Sequence, residues 1–153
     1  MFIKTVTDAL NHAGIQYALV GGYAVALHGA VRGTVDLDFV IALREEQYES
    51  VEKTLESIGL TARLPVSAKE IFQFRDEYIN NRNLIAWSFI NHANPLELVD
   101  IIITHDAQAM KTKTLSVDGM TIEIATIAEL IEMKKLSARP QDIEDIKALE
   151  KLQ

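Results

Sequence analysis

Cysteine is absent from the 153 residues of the sequence. This absence excludes a disulfide framework, a thiolate metal site and a cysteine nucleophile. Any bound metal ion would therefore need carboxylate or imidazole ligands. A domain of this length buries roughly 70% of the surface that its unfolded chain exposes, so packing alone can stabilise it without disulfides.

Positive charge is also scarce. The sequence has 15 Lys and Arg residues against 22 Asp and Glu residues, which gives a formal net charge of −7. Sequence-independent binding to nucleic acid depends on many Lys and Arg contacts with phosphate. The charge balance therefore argues against a protein that binds nucleic acid over a broad surface, although it leaves room for a local basic patch.

Long hydrophobic runs are the third absence. No stretch approaches the roughly 18 consecutive apolar residues of a membrane helix, and residues 1–14 lack the apolar segment of a signal peptide. These two observations predict a soluble, cytoplasmic protein with no membrane partner.

The residues that are present form a globular composition. Hydrophobic residues make up 48% of the chain and charged residues 24%, which is typical of a folded domain rather than a disordered segment. No internal repeat, low-complexity segment or linker interrupts the sequence. We therefore expect a single domain over residues 1–153, with a core over 1–104 and a hairpin and helical tail over 113–153.

The spacing of apolar residues and the positions of capping residues predict five helices. They cover residues 2–13, 23–28, 45–58, 126–137 and 141–152. Thr126 and Glu129 have the spacing of a capping box, and Pro140 suits the first turn of the last helix. Residues 69–80 fit either a helix or a strand.

Apolar and β-branched runs predict the strands. They cover residues 17–20, 35–43, 61–66, 84–90, 96–104, 115–117 and 120–124. Pro65 indicates that the strand at 61–66 lies at a sheet edge, because proline cannot donate a hydrogen bond within a central ladder. The turn formers at 91–95 and the pair Asp118-Gly119 predict two hairpins. The sequence thus indicates a mixed α and β fold.

Two acidic residues, Asp36 and Asp38, interrupt the otherwise apolar strand at 35–43. Side chains two residues apart in a strand lie on the same face, about 7 Å apart at the backbone. Two carboxylates on a half-buried face repel each other and are costly to desolvate unless cations neutralise them. The pair therefore predicts a site for divalent metal ions. In the simpler alternative, one Asp ends the strand and the other faces water.

A glycine pair, Gly21 and Gly22, separates the strand at 17–20 from the helix that follows. Backbone N–H groups at such a junction can face a phosphate chain, and the missing side chains let it approach. The pair therefore predicts a phosphate-binding turn. Its alternative role is a tight turn that needs permissive backbone angles.

A third acid, Asp100, lies within the apolar strand residues 98–103, where a charge is again unexpected. It would complete a metal site that two carboxylates hold only in part. Glu97 competes for this role, but it projects to the opposite face and lies nearer the turn, so we interpret it as solvated. The alternative role for Asp100 is to pair with a buried arginine.

Together these residues resemble the nucleotidyltransferase superfamily that includes DNA polymerase β. The residues that carry the resemblance are Gly21, Gly22, Arg32, Thr34, Asp36, Leu37, Asp38 and Asp100. Residues 17–38 are most similar to the small bacterial branch of AbiEii-type and minimal nucleotidyltransferases. Residues 134–149 are similar to its helical tail through Lys135, Arg139, Asp142 and Asp145. The resemblance implies an α+β, nucleotidyltransferase-like fold with a mixed central sheet flanked by helices, a β-hairpin and a C-terminal helical tail.

The resemblance implies roles for the three aspartates. Asp36 and Asp38 would bind both metal ions, as Mg²⁺ or Mn²⁺. Asp100 would bind the ion that acidifies the acceptor hydroxyl. By this resemblance the three carboxylates are the catalytic residues.

The resemblance also implies how the glycine pair would hold a nucleotide. Gly21 and Gly22 would bind the β and γ phosphates. Tyr23 follows them at a position where many members of the superfamily have serine. Its hydroxyl can still donate a hydrogen bond, but from a longer side chain.

Three further residues would contact the nucleotide by the same resemblance. Arg32 would neutralise triphosphate charge, and Thr34 would orient the entry into the strand; a surface ion pair is the alternative role for Arg32. Lys134, or its neighbour Lys135, would reach the nucleotide from the tail. The alternative role of these lysines is the cationic last turn of a helix.

The predicted activity is metal-dependent transfer of a nucleoside monophosphate (NMP) from a nucleoside triphosphate (NTP) to an acceptor hydroxyl on RNA, a protein or a small molecule. Within the resemblance, such a protein could be the toxin of a toxin–antitoxin pair that acts on tRNA, with a cognate antitoxin as its partner. The net charge of −7 weakens the tRNA version unless a basic face exists.

Two other functional classes are compatible with the sequence. The protein could be a catalytically silent nucleotide-binding or interaction module with the same fold. It could also be a structural partner protein in which the aspartate pair is ion-paired to Arg32. Convergence of Asp36, Asp38 and Asp100 on one open cleft favours the enzyme, whereas a cleft filled by Tyr23 favours the module.

Several other residues lack a pattern that predicts chemistry. The four histidines show no spacing that brings two onto one helix face, which argues against a histidine metal site. Trp87 and Phe89 are typical of a core strand. Asp142 and Asp145 are typical of acids near a helix N-terminus, with the orientation of a site lysine as their alternative role.

Overall fold

The computed structural model of the protein describes residues 1–30, 33 and 36–153. Arg32 and Thr34, for which the sequence predicts roles at the nucleotide, lie outside the described residues. The mixed α and β character predicted from the sequence is confirmed. The elements alternate along the chain rather than separating into a helical and a sheet part.

The described residues form seven α-helices. They are α1 (Phe2–His12), α2 (Gly21–Leu27), α3 (Glu45–Ser57), α4 (Ala68–Gln73), α5 (Arg75–Arg82), α6 (Ile127–Ser137) and α7 (Pro140–Lys151). Thr126 caps α6 as predicted, because its side chain accepts a hydrogen bond from the backbone N–H of Glu129. Pro140 lies in the first turn of α7, also as predicted.

The ambiguous segment at 69–80 is helical, as α4 and α5. A capping box explains the start of α4: the Ser67 hydroxyl accepts from the backbone N–H of Glu70, whose side chain accepts from the N–H of Ser67. The chain then bends at Phe74 and continues as α5. The signal for α4 was therefore in its cap, just outside the range that was ambiguous by periodicity.

Seven strands form one mixed sheet. They are β1 (Tyr17–Val20), β2 (Leu37–Ile41), β3 (Thr61–Ala62), β4 (Ala86–Asn91), β5 (Asn94–Ile102), β6 (Thr112–Val117) and β7 (Met120–Ala125). The strand order is β3-β4-β5-β2-β1-β7-β6, so β3 lies at an edge as Pro65 predicted. Strand β1 runs antiparallel to β2 and parallel to β7, while β2 and β5 are parallel.

Both predicted hairpins are present. Asp118 and Gly119 have φ values of 48° and 75° and join β6 to β7, the left-handed pair that a tight two-residue hairpin turn requires. The β4–β5 turn is shorter than the predicted five residues, since Asn91 already pairs with Asn94. The Asn91 side chain accepts a hydrogen bond from the N–H of Ala93, which stabilises the tight turn.

The hydrophobic core lies against the sheet. Strands β1 and β2 are buried along almost their whole length, and Trp87, Phe89, Val99 and Ile101 are fully buried on β4 and β5. Helix α2 contacts β1, β2 and α6, and α6 packs against α7. This packing brings the two C-terminal helices near the end of β1 where α2 begins. Within the described residues, no helix has both the length and the apolar character to cross a membrane.

Candidate active site

The sheet positions two of the predicted catalytic acids side by side. Strands β2 and β5 are adjacent and parallel, and their register pairs Asp38 with Asp100. Neighbouring strands lie about 4.8 Å apart, so paired residues project from the same face at close range. Asp36 precedes the first residue of β2 by one position. Two residues far apart in sequence thus become neighbours through strand pairing.

The three aspartates line one cleft with a volume of about 840 Å³. Gly21 and Lys134 line the same cleft, so five of the predicted site residues come together. Among the residues that the structure describes, Gly22 and Tyr23 are not part of its lining: Gly22 is buried in α2, and Tyr23 packs against the hydrophobic core. The cleft is therefore not filled by Tyr23.

The carboxylates of the cleft disturb each other. Burial raises the pKa of Asp38 to about 7, and the charges of Asp100 and Asp36 and a hydrogen bond with Asp100 contribute in the same direction. Burial and the charge of Asp100 also raise the pKa of Asp36. The charge of Lys134 acts on Asp38 in the opposite direction without cancelling the shift. The folded protein thus carries a cluster of acids whose charges it does not fully compensate.

Gly21 is required by the position of Asp38. Its φ is +71°, and a Cβ added there would lie 2.0 Å from Oδ2 of Asp38. Only glycine combines this backbone angle with such a close approach. The turn that was predicted to hold phosphate therefore also makes room for a cleft carboxylate.

Helices α6 and α7 supply the cations of the cleft. Lys134 is buried, and its Nζ lies 2.9 Å from Oδ2 of Asp145 and 3.6 Å from Oδ1 of Asp142. Arg139 lines the cleft as well and donates from Nε to Oδ2 of Asp142 over 2.9 Å. Lys135 instead pairs with Glu132 on an exposed surface. The alternative role suggested for Asp142 and Asp145, orienting a lysine, is the arrangement that the structure shows.

Sequence reasoning missed Ser88, which contacts a carboxylate of the cleft, and His105, which lines the cleft. Ser88 pairs with Asp100 in the β4–β5 register, and its hydroxyl donates to Oδ1 of Asp100 over 2.5 Å. A polar residue between Trp87 and Phe89 in a core strand was the signal for it. His105 lines the cleft, and so does Arg139, which the sequence analysis placed only in the helical tail. Nothing in their local sequence distinguishes them from surface residues, because only the packing of distant elements brings them there.

The donor atoms of the cleft suit a hard divalent cation in their chemistry. Three carboxylates offer only oxygen ligands, and the raised pKa of Asp38 indicates that the acids lack enough positive charge. Among the described residues, however, no group of three or more Asp, Glu or His side chains is arranged so that it could hold one metal ion. The cleft therefore offers the predicted oxygen ligands, and the binding of metal ions by Asp36, Asp38 and Asp100 stays a prediction.

A sequence model of the aminoglycoside-2''-adenylyltransferase family matches residues 2–124. The chain belongs to this family. The matched region includes β1, α2, β2 and β5, and hence Gly21 and the three aspartates. It ends within β7, so α6 and α7 lie beyond it.

Solved structures of nucleotidyltransferases and a nucleotidyltransferase-like protein share the fold of this chain. ANT(2'')-Ia in complex with adenylyl-2''-tobramycin has a TM-score of 0.61 at 13% identity, over 98% of this chain and 90% of that one. The lincomycin-bound lincosamide adenylyltransferase LnuA has a TM-score of 0.62 at 17% identity, over 99% and 96%. An antigenic nucleotidyltransferase-like protein from Paracoccidioides brasiliensis has a TM-score of 0.62 at 19% identity, over 96% and 73%.

These comparisons confirm the predicted nucleotidyltransferase superfamily and its α+β fold. No curated protein sequence matches the chain. The AbiEii-type branch that the sequence suggested gains no support, because the matching family is a different one.

Proposed function

We propose that the protein transfers an NMP from an NTP to a hydroxyl group of a small molecule. The observation that carries this proposal is the cleft in which Asp36, Asp38 and Asp100 meet Gly21. Membership of an adenylyltransferase family supports nucleotidyl transfer in general and ATP as the donor.

In the proposed reaction the acceptor oxygen forms a bond to the α-phosphorus of the NTP. The bond from that phosphorus to the oxygen bridging to the β-phosphate breaks, and pyrophosphate leaves with the electron pair. The hydroxyl proton passes to solvent. Such a reaction depends mainly on positioning and on compensation of charge.

Asp36, Asp38 and Asp100 would hold Mg²⁺ or Mn²⁺ in this reaction. A bound divalent cation would offset phosphate charge and acidify the acceptor hydroxyl. Ser88 would fix the orientation of Asp100 through its hydrogen bond. The uncompensated acids of the metal-free cleft support this assignment, because cations would relieve their repulsion.

The predicted phosphate ligands are part of the same proposal. Gly21 would contact the phosphates at the start of α2, and Lys134 would contribute positive charge from the tail. Gly22 and Tyr23 would act through α2, since the structure shows them away from the cleft lining. Arg32 and Thr34 keep their predicted roles at the triphosphate and the strand entry.

Two observations favour a small-molecule acceptor over the RNA or protein that the sequence left open. Two proteins of the same fold were solved with small molecules, adenylyl-2''-tobramycin and lincomycin. In addition, the cleft carries apolar side chains next to the acids, among them Ile85 and Leu136, which are 57% and 78% exposed. A toxin role and a cognate antitoxin stay predictions from the sequence alone.

The test incubates the protein with each NTP, Mg²⁺, Mn²⁺ or EDTA, and a panel of aminoglycosides, lincosamides, tRNA and proteins. Release of pyrophosphate and labelling of the acceptor are both measured. We expect labelling of a small molecule that EDTA abolishes and that Asp36→Asn abolishes. Asp118→Asn is the matched control, since it removes a carboxylate in the exposed β6–β7 turn. Undiminished labelling by Asp36→Asn would contradict the mechanism.

A catalytically silent nucleotide-binding module is the second candidate. The observation that favours it is that the described acids do not form a three-ligand metal site. In this case the protein would bind an NTP, but no acceptor and neither cation would produce pyrophosphate.

We also propose that residues 1–153 act as one domain in the cytoplasm. Pairing of β7 with β1 supports the first point, because it joins the predicted tail region to the predicted core in one sheet. Use of an NTP as substrate would fit a location in the cytoplasm.

A further inference from the structure

We propose that Arg139 binds the phosphate chain of the nucleotide and that Asp142 holds its guanidinium in position to do so. This inference rests on the proposed function, because it names a further ligand for the same NTP. It concerns the junction of α6 and α7, which lies beyond the region matched by the family.

The geometry of Arg139 suits a ligand that can reach an anion in the cleft. It lines the cleft, and its side chain is 75% exposed although its partner Asp142 is only 3% exposed. Within the described residues, its guanidinium donates to Asp142 alone, through Nε at 2.9 Å and NH2 at 3.5 Å. A guanidinium has five N–H donors, so most of them point away from this carboxylate.

Lys134 is less suited to the same task, although the sequence singled it out. Its side chain is only 9% exposed, and its ammonium group is ion-paired to both Asp145 and Asp142. Two carboxylates at close range compensate most of its charge. Of the described Lys and Arg residues that line the cleft, Arg139 is therefore the accessible one, while Lys134 provides background charge near Asp38.

Asp142 is built to orient Arg139. Its Oδ2 accepts from Nε of Arg139, from the backbone N–H of Arg139 at 3.0 Å and from the Ser137 hydroxyl at 2.8 Å. These bonds fix one edge of the guanidinium against the N-terminus of α7. The other edge is left for a planar, charge-assisted contact with phosphate, which arginine makes well.

The charges of the cleft also favour this assignment. Asp36, Asp38 and Asp100 come from the sheet side of the cleft, and Arg139 comes from the helical tail. A triphosphate beside the three acids needs positive charge from elsewhere. Asp38 also raises the pKa of Arg139, after larger contributions from Asp142, which shows that the guanidinium lies within electrostatic range of the catalytic acids.

Equilibrium dialysis with radiolabelled ATP, GTP, CTP and UTP in Mg²⁺ tests the proposal. We compare the wild type with Arg139→Gln, Arg139→Lys and Lys147→Gln; the last removes an exposed cation from α7, the helix that Arg139 immediately precedes. For the NTP that the wild type binds best, Arg139→Gln should weaken binding roughly 10- to 100-fold, the value of a charge-assisted hydrogen bond. Lys147→Gln should stay within about twofold of the wild type, because solvent and salt screen its charge.

Two further readouts separate a phosphate contact from a loss of structure. Arg139→Gln should change the affinity for the corresponding nucleoside much less than that for the NTP, and Arg139→Lys should recover part of the loss. Asp142→Asn should weaken NTP binding less than Arg139→Gln does and should raise KM with kcat little changed. A uniform loss of affinity for nucleoside and NTP would instead indicate a structural role and overturn the proposal.

The outcomes also distinguish this proposal from the proposed function. If the wild type binds an NTP and Arg139→Gln binds it equally well, Arg139 is not a ligand and the proposed function stands. If the wild type binds none of the four NTPs, both the proposed function and the role of Arg139 are wrong.

Discussion

Two aspartates of the same cleft, Asp38 and Asp142, respond to burial in opposite ways. Burial raises the pKa of Asp38 to about 7, because its close neighbours Asp100 and Asp36 are also acids. Burial acts to raise the pKa of Asp142 as well, but hydrogen bonds from Arg139 and Ser137 outweigh it and lower the pKa to about 2.

The difference distinguishes two parts of the molecule by whether positive charge compensates their acids. In the tail, the acids Asp142 and Asp145 of α7 have nearby cations. The charge of Asp142 is compensated by its ion pairs with Lys134 and Arg139. In the sheet, β2 and β5 bring acids together without enough positive charge. An acid that the protein leaves uncompensated is the better candidate for function, because stability alone would not select such a cluster.

The largest expected effect comes from Asp38→Asn. Removal of this carboxylate should lower nucleotidyl transfer roughly 10²- to 10³-fold or more, as expected when one group that stabilises transition-state charge is lost. The same change should raise the Tm of the metal-free protein at pH 8 by about 2 to 6 °C, because it removes an electrostatic repulsion.

The pH dependence gives the sign of this stability effect. A raised pKa means that stability is greatest where Asp38 is protonated in both states and falls as pH rises from its ordinary value of 3.8 through about 7. The gain from Asp38→Asn should therefore be absent below pH 3.8, grow as pH rises through this range and be largest above pH 7. Thermal unfolding in EDTA across this range measures it, and equal Tm values at pH 8 would contradict the uncompensated cluster.

Gly21→Ala should have the next largest effect. The added Cβ would overlap Asp38, and the backbone angle disfavours any side chain, so we expect a loss of roughly 2 to 5 kcal/mol in the free energy of unfolding. Gly14→Ala is a matched control with the same φ of +71° and nothing within 4 Å of its new Cβ. It should lose only roughly 1 to 2 kcal/mol. Equal losses in urea unfolding would show that contact with Asp38 is unimportant.

Asp142→Asn should show how much the ion pairs of Asp142 stabilise the protein. We expect a loss of roughly 1.5 to 3 kcal/mol in the free energy of unfolding at pH 7, since Arg139 and the buried Lys134 lose a charged acceptor. Because the pKa of Asp142 is lowered, this contribution is present above its ordinary value of 3.8 and is lost as pH falls through about 2.

The control for this change is Glu144→Gln on the exposed part of α7, where the carboxylate lies 3.7 Å from Nζ of Lys147. It should change stability by less than about 0.5 kcal/mol. If both variants lose the same amount in denaturant unfolding, the tail pair is no stronger than a surface pair.

Ser88→Ala should have the smallest effect of the four. Loss of its hydrogen bond should free the Asp100 carboxylate to rotate, and the rate should fall about 3- to 10-fold. Ser116→Ala, in the exposed part of β6, is the control and should leave the rate unchanged. A kinetic comparison at saturating NTP measures this effect, and an unchanged rate for Ser88→Ala would show that Asp100 needs no such support.

Local patterns predicted much of the fold because the signals were local. The Asp118-Gly119 turn, the Thr126 cap and the Pro140 helix start each depend on a few adjacent residues, and each is present. Residues 69–80 stayed ambiguous between helix and strand because the decisive signal for α4, the Ser67 capping box, lies outside that range. Most other strand and helix limits shifted by one or two residues, whereas β3 ends at Ala62 rather than at 66 and β6 begins at Thr112 rather than at 115.

The site residues that could be predicted were those that differ from the residue types around them. Asp36, Asp38 and Asp100 stood out as charges in apolar strands, and Gly21 stood out at a strand–helix junction. Arg139 and Asp142 were noted only within the similar helical tail, with the orientation of a lysine as an alternative role for Asp142, since charged residues at a helix start are ordinary. Ser88 gave only the weak signal of one polar residue in a core strand.

The sequence by itself determined the types of chemistry that the chain can support, because the absence of cysteine and the placement of acids in apolar strands are properties of residue order. Tertiary structure alone decided which acids are compensated. Asp38 meets Asp100 through the pairing of β2 with β5, and Asp142 meets Lys134 through the packing of α6 against α7. Electrostatic interactions depend on distance in space and on burial, and neither quantity can be read from separation along the chain.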